Sequence, residues 1–242
     1  MRFPCEDRNI EHVNPDKAGG SAEKRVHFGK DPASALTHFV GLLFAIAGLV
    51  ALSALSVGDG PKLAVMTIYG LTLVAVFLSS TCYHFFDLGE SGNRWLRRLD
   101  HCAIFLLIGG TYAPAVLHLT DGTGRLFLLG LVAALALTGT MFKLVWVECP
   151  DKLSTMLYLG FGWMCIVPGY WMFPQLSLSA MSWLAIGGLA YTGGAIIYVR
   201  ERPDPWPGVF GHHEVWHLCV LAGAAAHFMF TLGFLDQSYP PF

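Results

Sequence analysis

Charge is scarce in this chain. Asp, Glu, Lys and Arg together make up 13% of its 242 residues, where soluble domains carry about 25%. The apolar residues, 54% of the chain, come in long blocks. Too little polar surface remains to enclose them, which excludes a water-soluble core. No basic run exceeds Lys24-Arg25, so there is no electrostatic footprint for nucleic acid. The six cysteines, Cys5, Cys82, Cys102, Cys149, Cys165 and Cys219, form no C-x-x-C pair, and four of them lie in or beside apolar segments. That spacing argues against a disulfide framework or a thiolate zinc site and for small buried hydrophobes. A secretory signal is not expected either. Residues 1–31 are polar and mixed in charge, with no apolar stretch before a small-residue cleavage site. They are expected to form a mostly disordered cytoplasmic tail.

What is present is a series of apolar segments, seven in all, near 34–56, 62–86, 97–119, 125–146, 154–173, 178–199 and 213–235. Each is about 18–25 residues, long enough to cross a hydrocarbon core of about 30 Å as a helix. The connections are short and rich in turn residues, as in Gly58-Asp59-Gly60-Pro61 and Asp121-Gly122-Thr123-Gly124. Consecutive helices must therefore run antiparallel. The fold class expected is an all-α membrane protein, a bundle of seven transmembrane helices over 32–242 in the plasma membrane. Its 27 glycines fall largely inside the apolar blocks, where helices pack backbone to backbone.

Basic residues orient the bundle. The tail and alternate loops hold thirteen: Arg2, Arg8, Lys17, Lys24, Arg25, Lys30, Arg94, Arg97, Arg98, Lys143, Lys152, Arg200 and Arg202. The other side holds only Lys62 and Arg125. The N-terminus is expected in the cytoplasm and the C-terminus outside it.

That orientation brings several polar side chains to one level. His213 and His217 open the seventh segment four residues apart, so on a helix they share a face. His84 ends the second segment and Asp100 begins the third, both at the cytoplasmic end, and Ser80 lies one turn deeper than His84 on the same face. Polar helix ends facing water or head groups also produce such clustering. The alternative is a metal site. Three imidazoles with an open fourth position suit catalytic zinc, and a nearby carboxylate can hold or deprotonate a water there. Spacing does not show that the second, third and seventh helices touch.

Other polar residues have plainer readings. His38 and His101 are expected to be interfacial or structural, and His118 lies at the outer end, far from the rest. His227 lies fourteen residues after His213, about 21 Å deeper; it should face the interior and hydrogen-bond another helix. Glu214 should point away from the His213 face into solvent.

Ser80-x-x-x-His84, Leu99-Asp100-His101-Cys102-Ala103-Ile104, Gly110-Thr111-Tyr112-Ala113-Pro114 and His213-Glu214-Val215-Trp216-His217 stand in that order. Together they resemble the hemolysin III family, bacterial relatives of the progestin and adiponectin receptor (PAQR) proteins. Tyr158-Leu159-Gly160-x-Gly162-Trp163 and Gly187 to Gly194 are similar to further family segments, and the resemblance spans 34–235. It implies a seven-helix bundle with a cytoplasmic N-terminus. It also implies Zn2+ held by His84, His213 and His217, with Asp100 engaging the zinc's water and Ser80 in the serine position. The superfamily includes ceramidases, which hydrolyse lipid amides, and the hemolysin name reflects cytolysis attributed to some members. The chemistry expected is that of a zinc-dependent hydrolase of a membrane lipid amide or ester. Asp100 would move the proton, and Ser80 or the metal would stabilise the oxyanion. The rival readings are a non-catalytic membrane sensor with structural zinc, and a cytolysin. A lipid-sized apolar cavity opening onto the metal would favour the enzyme.

Overall fold

The computed structural model describes residues 29–235. The tail expected over 1–31 lies outside them except for Gly29, Lys30 and Asp31. Among the described residues there are eight α-helices: α1 Pro32–Leu55, α2 Gly60–Phe85, α3 Gly89–Leu119, α4 Gly122–Val145, α5 Asp151–Trp163, α6 Ile166–Met172, α7 Leu178–Arg200 and α8 His212–Leu232. A 3-10 turn, Phe173–Gln175, follows α6. Seven segments are long and apolar enough to span a membrane, the fifth being α5, α6 and that turn together. Local chemistry starts the helices where they start. Pro32 and Pro61 stand in the first turns of α1 and α2, where a missing N–H costs nothing. Asp59 accepts from Lys62 N at 3.0 Å, and Ser177 from Ala180 N at 3.2 Å.

Two segments differ from their sequence outlines. Helix α3 begins at Gly89, eight residues before the expected 97, so Asp100 lies three turns inside it. Gly89-Glu90-Ser91-Gly92 has a turn composition, and Gly89 does turn the chain, with φ +72°. The helix then continues through polar residues, supported by the Arg94–Glu90 pair at 2.6 Å. The fifth segment breaks at Met164-Cys165. Pro168 cannot donate to the carbonyl of Met164, and its ring crowds that carbonyl. Tyr112 of α3 satisfies groups freed there. Its hydroxyl accepts from Cys165 N at 2.8 Å and faces Phe161 O and Gly162 O at 2.9 and 2.7 Å. Backbone groups released inside a bilayer need such partners, because no water reaches them.

Packing brings α1, α2, α3 and α8 around one core containing Leu52, Met66, Tyr69 and Val116. Gly41 of α1 lies where α1, α2 and α8 meet. A Cβ there would fall 2.6 Å from Leu221 and 2.7 Å from Phe77, so any larger residue would have to displace those side chains for the three helices to close. The amino ends of α1 and α8 and the carboxyl end of α2 therefore share one face of the bundle. Lys143, counted above among the loop cations, faces no head group. It is buried, with Nζ donating to Ser154 Oγ at 2.6 Å and Cys149 Sγ at 3.1 Å, and it ties the corner between α4 and α5. Removing it from the count leaves twelve basic residues against two.

Candidate metal centre

His84 stands at the last turn of α2, and His213 and His217 in the first two turns of α8. Because α1 holds both helices, their imidazoles converge. Ring centroids lie 5.0 Å apart for His84 and His213, 4.9 Å for His84 and His217, and 4.7 Å for His213 and His217. One ligand atom from each falls within 4.8 Å of the others. His84 Nε2 and His213 Nε2 are 3.3 Å apart. Two nitrogens bound at 2.0–2.1 Å to one tetrahedral ion stand roughly 3.3–3.4 Å from each other. The donor set and its spacing fit a metal ion.

Hydrogen bonds on the far side of the rings assign their tautomers. His84 Nδ1 faces Asp31 Oδ2 at 3.1 Å, which leaves the Nε2 lone pair toward the centre. His217 Nδ1 faces Thr37 Oγ1 at 3.2 Å and Ser34 O at 3.3 Å. Thr37 gives its own proton to Ser34 O, so both oxygens accept from the ring. Burial pushes the Asp31 carboxyl up, but its hydrogen bond with His84 and the nearby imidazoles outweigh that and hold it below the usual carboxylate range.

Glu214 departs from its sequence reading. It is buried, accepting from Ser34 Oγ at 2.7 Å and from Gly211 N at 2.6 Å. One residue past His213 turns it about 100° away, as expected. That direction meets α1, whose contact with α8 was not visible in the sequence. His38 is likewise interior, stacked on His217 with centroids 3.7 Å apart. Asp31, Ser34, Thr37 and Glu214 were all missed as site residues. The Asp31-Pro32 pair signals a helix start, but nothing in it signals a partner 53 residues away.

Asp100 lies outside the close imidazole group. Its carboxylate lies beside Ser80, which is buried one turn before His84. Asp100, Ser80, His213 and His217 line one end of a cavity of about 890 Å3. The cavity continues along α3 through Ile104, Ile108 and Ala115 to Leu119, about 28 Å away at 1.5 Å per residue. Past the polar end its wall is overwhelmingly apolar, and it includes Phe127, Val167 and Leu189, which are exposed on the outer surface of the bundle. Three further described histidines have partners of their own. His101 approaches Tyr158 Oη at 3.4 Å, His118 Nδ1 faces Pro114 O at 2.7 Å, and His227 Nε2 faces Leu184 O of α7 at 3.4 Å, the interhelical contact expected of it.

Comparison with known proteins matches residues 26–228 to a family described as haemolysin-III related. The chain is 37% identical over 202 residues to a hemolysin-3 homolog of Bacillus subtilis, covering 83% of this chain and 92% of that one. It is 33% identical over 202 residues to hemolysin-3 of Bacillus cereus, covering 83% and 89%. A more distant similarity, 27% over 154 residues, covers 56% of this chain and 34% of an adiponectin receptor protein of Drosophila melanogaster.

Proposed function

Since the chain belongs to the haemolysin-III-related family, within the PAQR superfamily, and is a multi-pass membrane protein, we propose that it is a zinc-dependent hydrolase of a membrane lipid amide or ester. The observation that carries this reading is the cavity. Its volume lies within the 300–1,000 Å3 of ligand sites, and it leads from lipid-facing side chains to the imidazole cluster. A metal that only tied helices together would need no such space. Closed structural zinc sites also take four protein ligands, and the close group here has three.

His84, His213 and His217 would hold the ion through Nε2, Nε2 and the ring nitrogen of His217 left free by α1. Zinc in such a site acts as a Lewis acid and brings the pKa of a water to about 7. The protein's own groups do the rest. Asp100 takes the proton of the attacking water and delivers it to the departing amine or alcohol. Ser80, beside Asp100 at the polar end of the cavity, would orient the carboxylate or stabilise the oxyanion. The apolar walls align the acyl chain and keep bulk water from the scissile bond.

The cavity can be tested without touching the polar end. Ile108 lines it two helical turns from Asp100. Ile108→Trp should fill the acyl path and lower hydrolysis of long-chain substrates by about tenfold or more, with zinc content unchanged. The assay is fatty-acid release from ceramide-containing and phospholipid vesicles by reconstituted protein. Full activity in this variant would remove the cavity from the mechanism.

The site would face the cytoplasm. The motivation is the twelve-to-two excess of basic residues on the triad's side of the bundle, which marks the cytoplasmic face of plasma-membrane proteins. A periplasm- or exterior-dependent reporter enzyme fused after Phe242 is expected to be active, and a cytoplasm-dependent one silent. The reverse pattern would invert the topology.

A further inference from the structure

We propose that Asp31 is a positioning residue for the metal centre, fixing the tautomer and ring orientation of His84. The inference rests on the metal reading above and adds to it a carboxylate that lies before the first membrane span.

Asp31 meets the carboxyl end of α2 in two ways. Its backbone N–H donates to His84 O at 2.8 Å, and Lys30 N donates to Phe85 O at 3.2 Å. These are carbonyls that a helix end leaves without an internal partner, so residues 30–31 cap α2 through the main chain. Lys30 Nζ adds a contact over the Tyr83 ring, 4.1 Å from its centroid. The Asp31 side chain is thus brought to His84 by backbone bonds that do not depend on it.

The carboxylate then makes an unusual choice. Asp at a helix N-cap normally accepts from the helix's own first N–H groups. Asp31 is the N-cap of α1 and makes no such bond. Instead Oδ2 accepts a hydrogen bond from His84 Nδ1–H at 3.1 Å. Fixing the proton on Nδ1 leaves Nε2 as the lone-pair donor, and Nε2 is the atom that stands 3.3 Å from His213 Nε2. Carboxylate–histidine–metal relays of this form orient the ring and raise its basicity, and losing the outer partner typically lowers metal affinity 10–100-fold. His217 has the same arrangement with neutral acceptors, Ser34 O and Thr37 Oγ1. The amino end of α1 therefore supplies the outer contacts of two of the three imidazoles while giving none of the close ligand atoms.

The test is Asp31→Ser, which retains an N-cap side chain but is too short to reach Nδ1. Zinc affinity would be measured on the full-length protein in detergent by competition with a chromophoric chelator. Melting temperatures would be recorded on the zinc-stripped forms. The expected result is a 10–100-fold weaker affinity with the zinc-stripped melting temperature unchanged. Asp31→Asn, whose amide oxygen accepts the same proton, should recover most of the affinity. Wild-type affinity in Asp31→Ser would overturn the inference, and so would a parallel fall in zinc-stripped stability, which would make the residue merely structural. Failure of the wild type itself to bind zinc would instead overturn the metal reading.

Discussion

Replacing His217 with alanine is expected to empty the metal site. The purified wild-type protein should carry about one zinc per chain, and His217→Ala well under a tenth of that, measured by elemental mass spectrometry after dialysis. The residue is buried, supplies one of the three close ligands, and sits at the junction of α1 and α8. Truncation also leaves Ser34 O and Thr37 Oγ1 without their ring partner and opens a void beneath His38. Loss of packing and of a buried hydrogen bond should cost roughly 2–4 kcal/mol beyond the zinc contribution. His227→Ala is the control, since that histidine bonds α7 and lies far from the triad. Zinc retained in His217→Ala would show that the ion is held elsewhere.

The seven spans were legible because the bilayer imposes a length. An apolar run of about twenty residues has few alternatives to a spanning helix, and each expected segment meets an observed one. Their ends were harder. Nothing compels a helix to stop where hydrophobicity stops, and α3 continues to Gly89 through Arg97, Arg94 and Glu90, supported by ion pairs instead of lipid. The break in the fifth segment was written in Pro168, but its partner Tyr112 lies 53 residues from Cys165. No local pattern carries that pairing.

The candidate site divides along the same line. His213 and His217 share a face by helical arithmetic, and His84 joins them once the helices are placed at one level. The structure brings these three together. It places Ser80 and Asp100 on the wall of one cavity as well. What composition concealed is the contribution of α1. Asp31 has the polar neighbours of a tail, and Glu214 follows a ligand-type histidine on what looked like the wet side of a helix. Both are tied to the centre through α1, by contacts 53 and 180 residues apart in sequence. Charge in a membrane protein is costly enough to be informative wherever it is buried, yet burial itself had to come from the fold.

Asp100→Ala is expected to separate the proposed catalysis from metal binding. Asp100 lines the cavity and stands outside the close imidazole group, so its loss should leave zinc in place. General acid–base transfer is worth about 10²–10⁴ in rate, and hydrolysis should fall by that factor. The non-catalytic reading, with zinc serving only to hold helices in a membrane sensor, expects no lipid turnover to lose. The decisive measurement is quantitative lipid mass spectrometry on cells overproducing the wild type or Asp100→Ala at equal protein and equal zinc. The account predicts that a lipid amide or ester is depleted, and its fatty acid and amine or alcohol products raised, only with the wild type. Equal zinc and indistinguishable lipids in the two strains would contradict hydrolysis and leave the sensor.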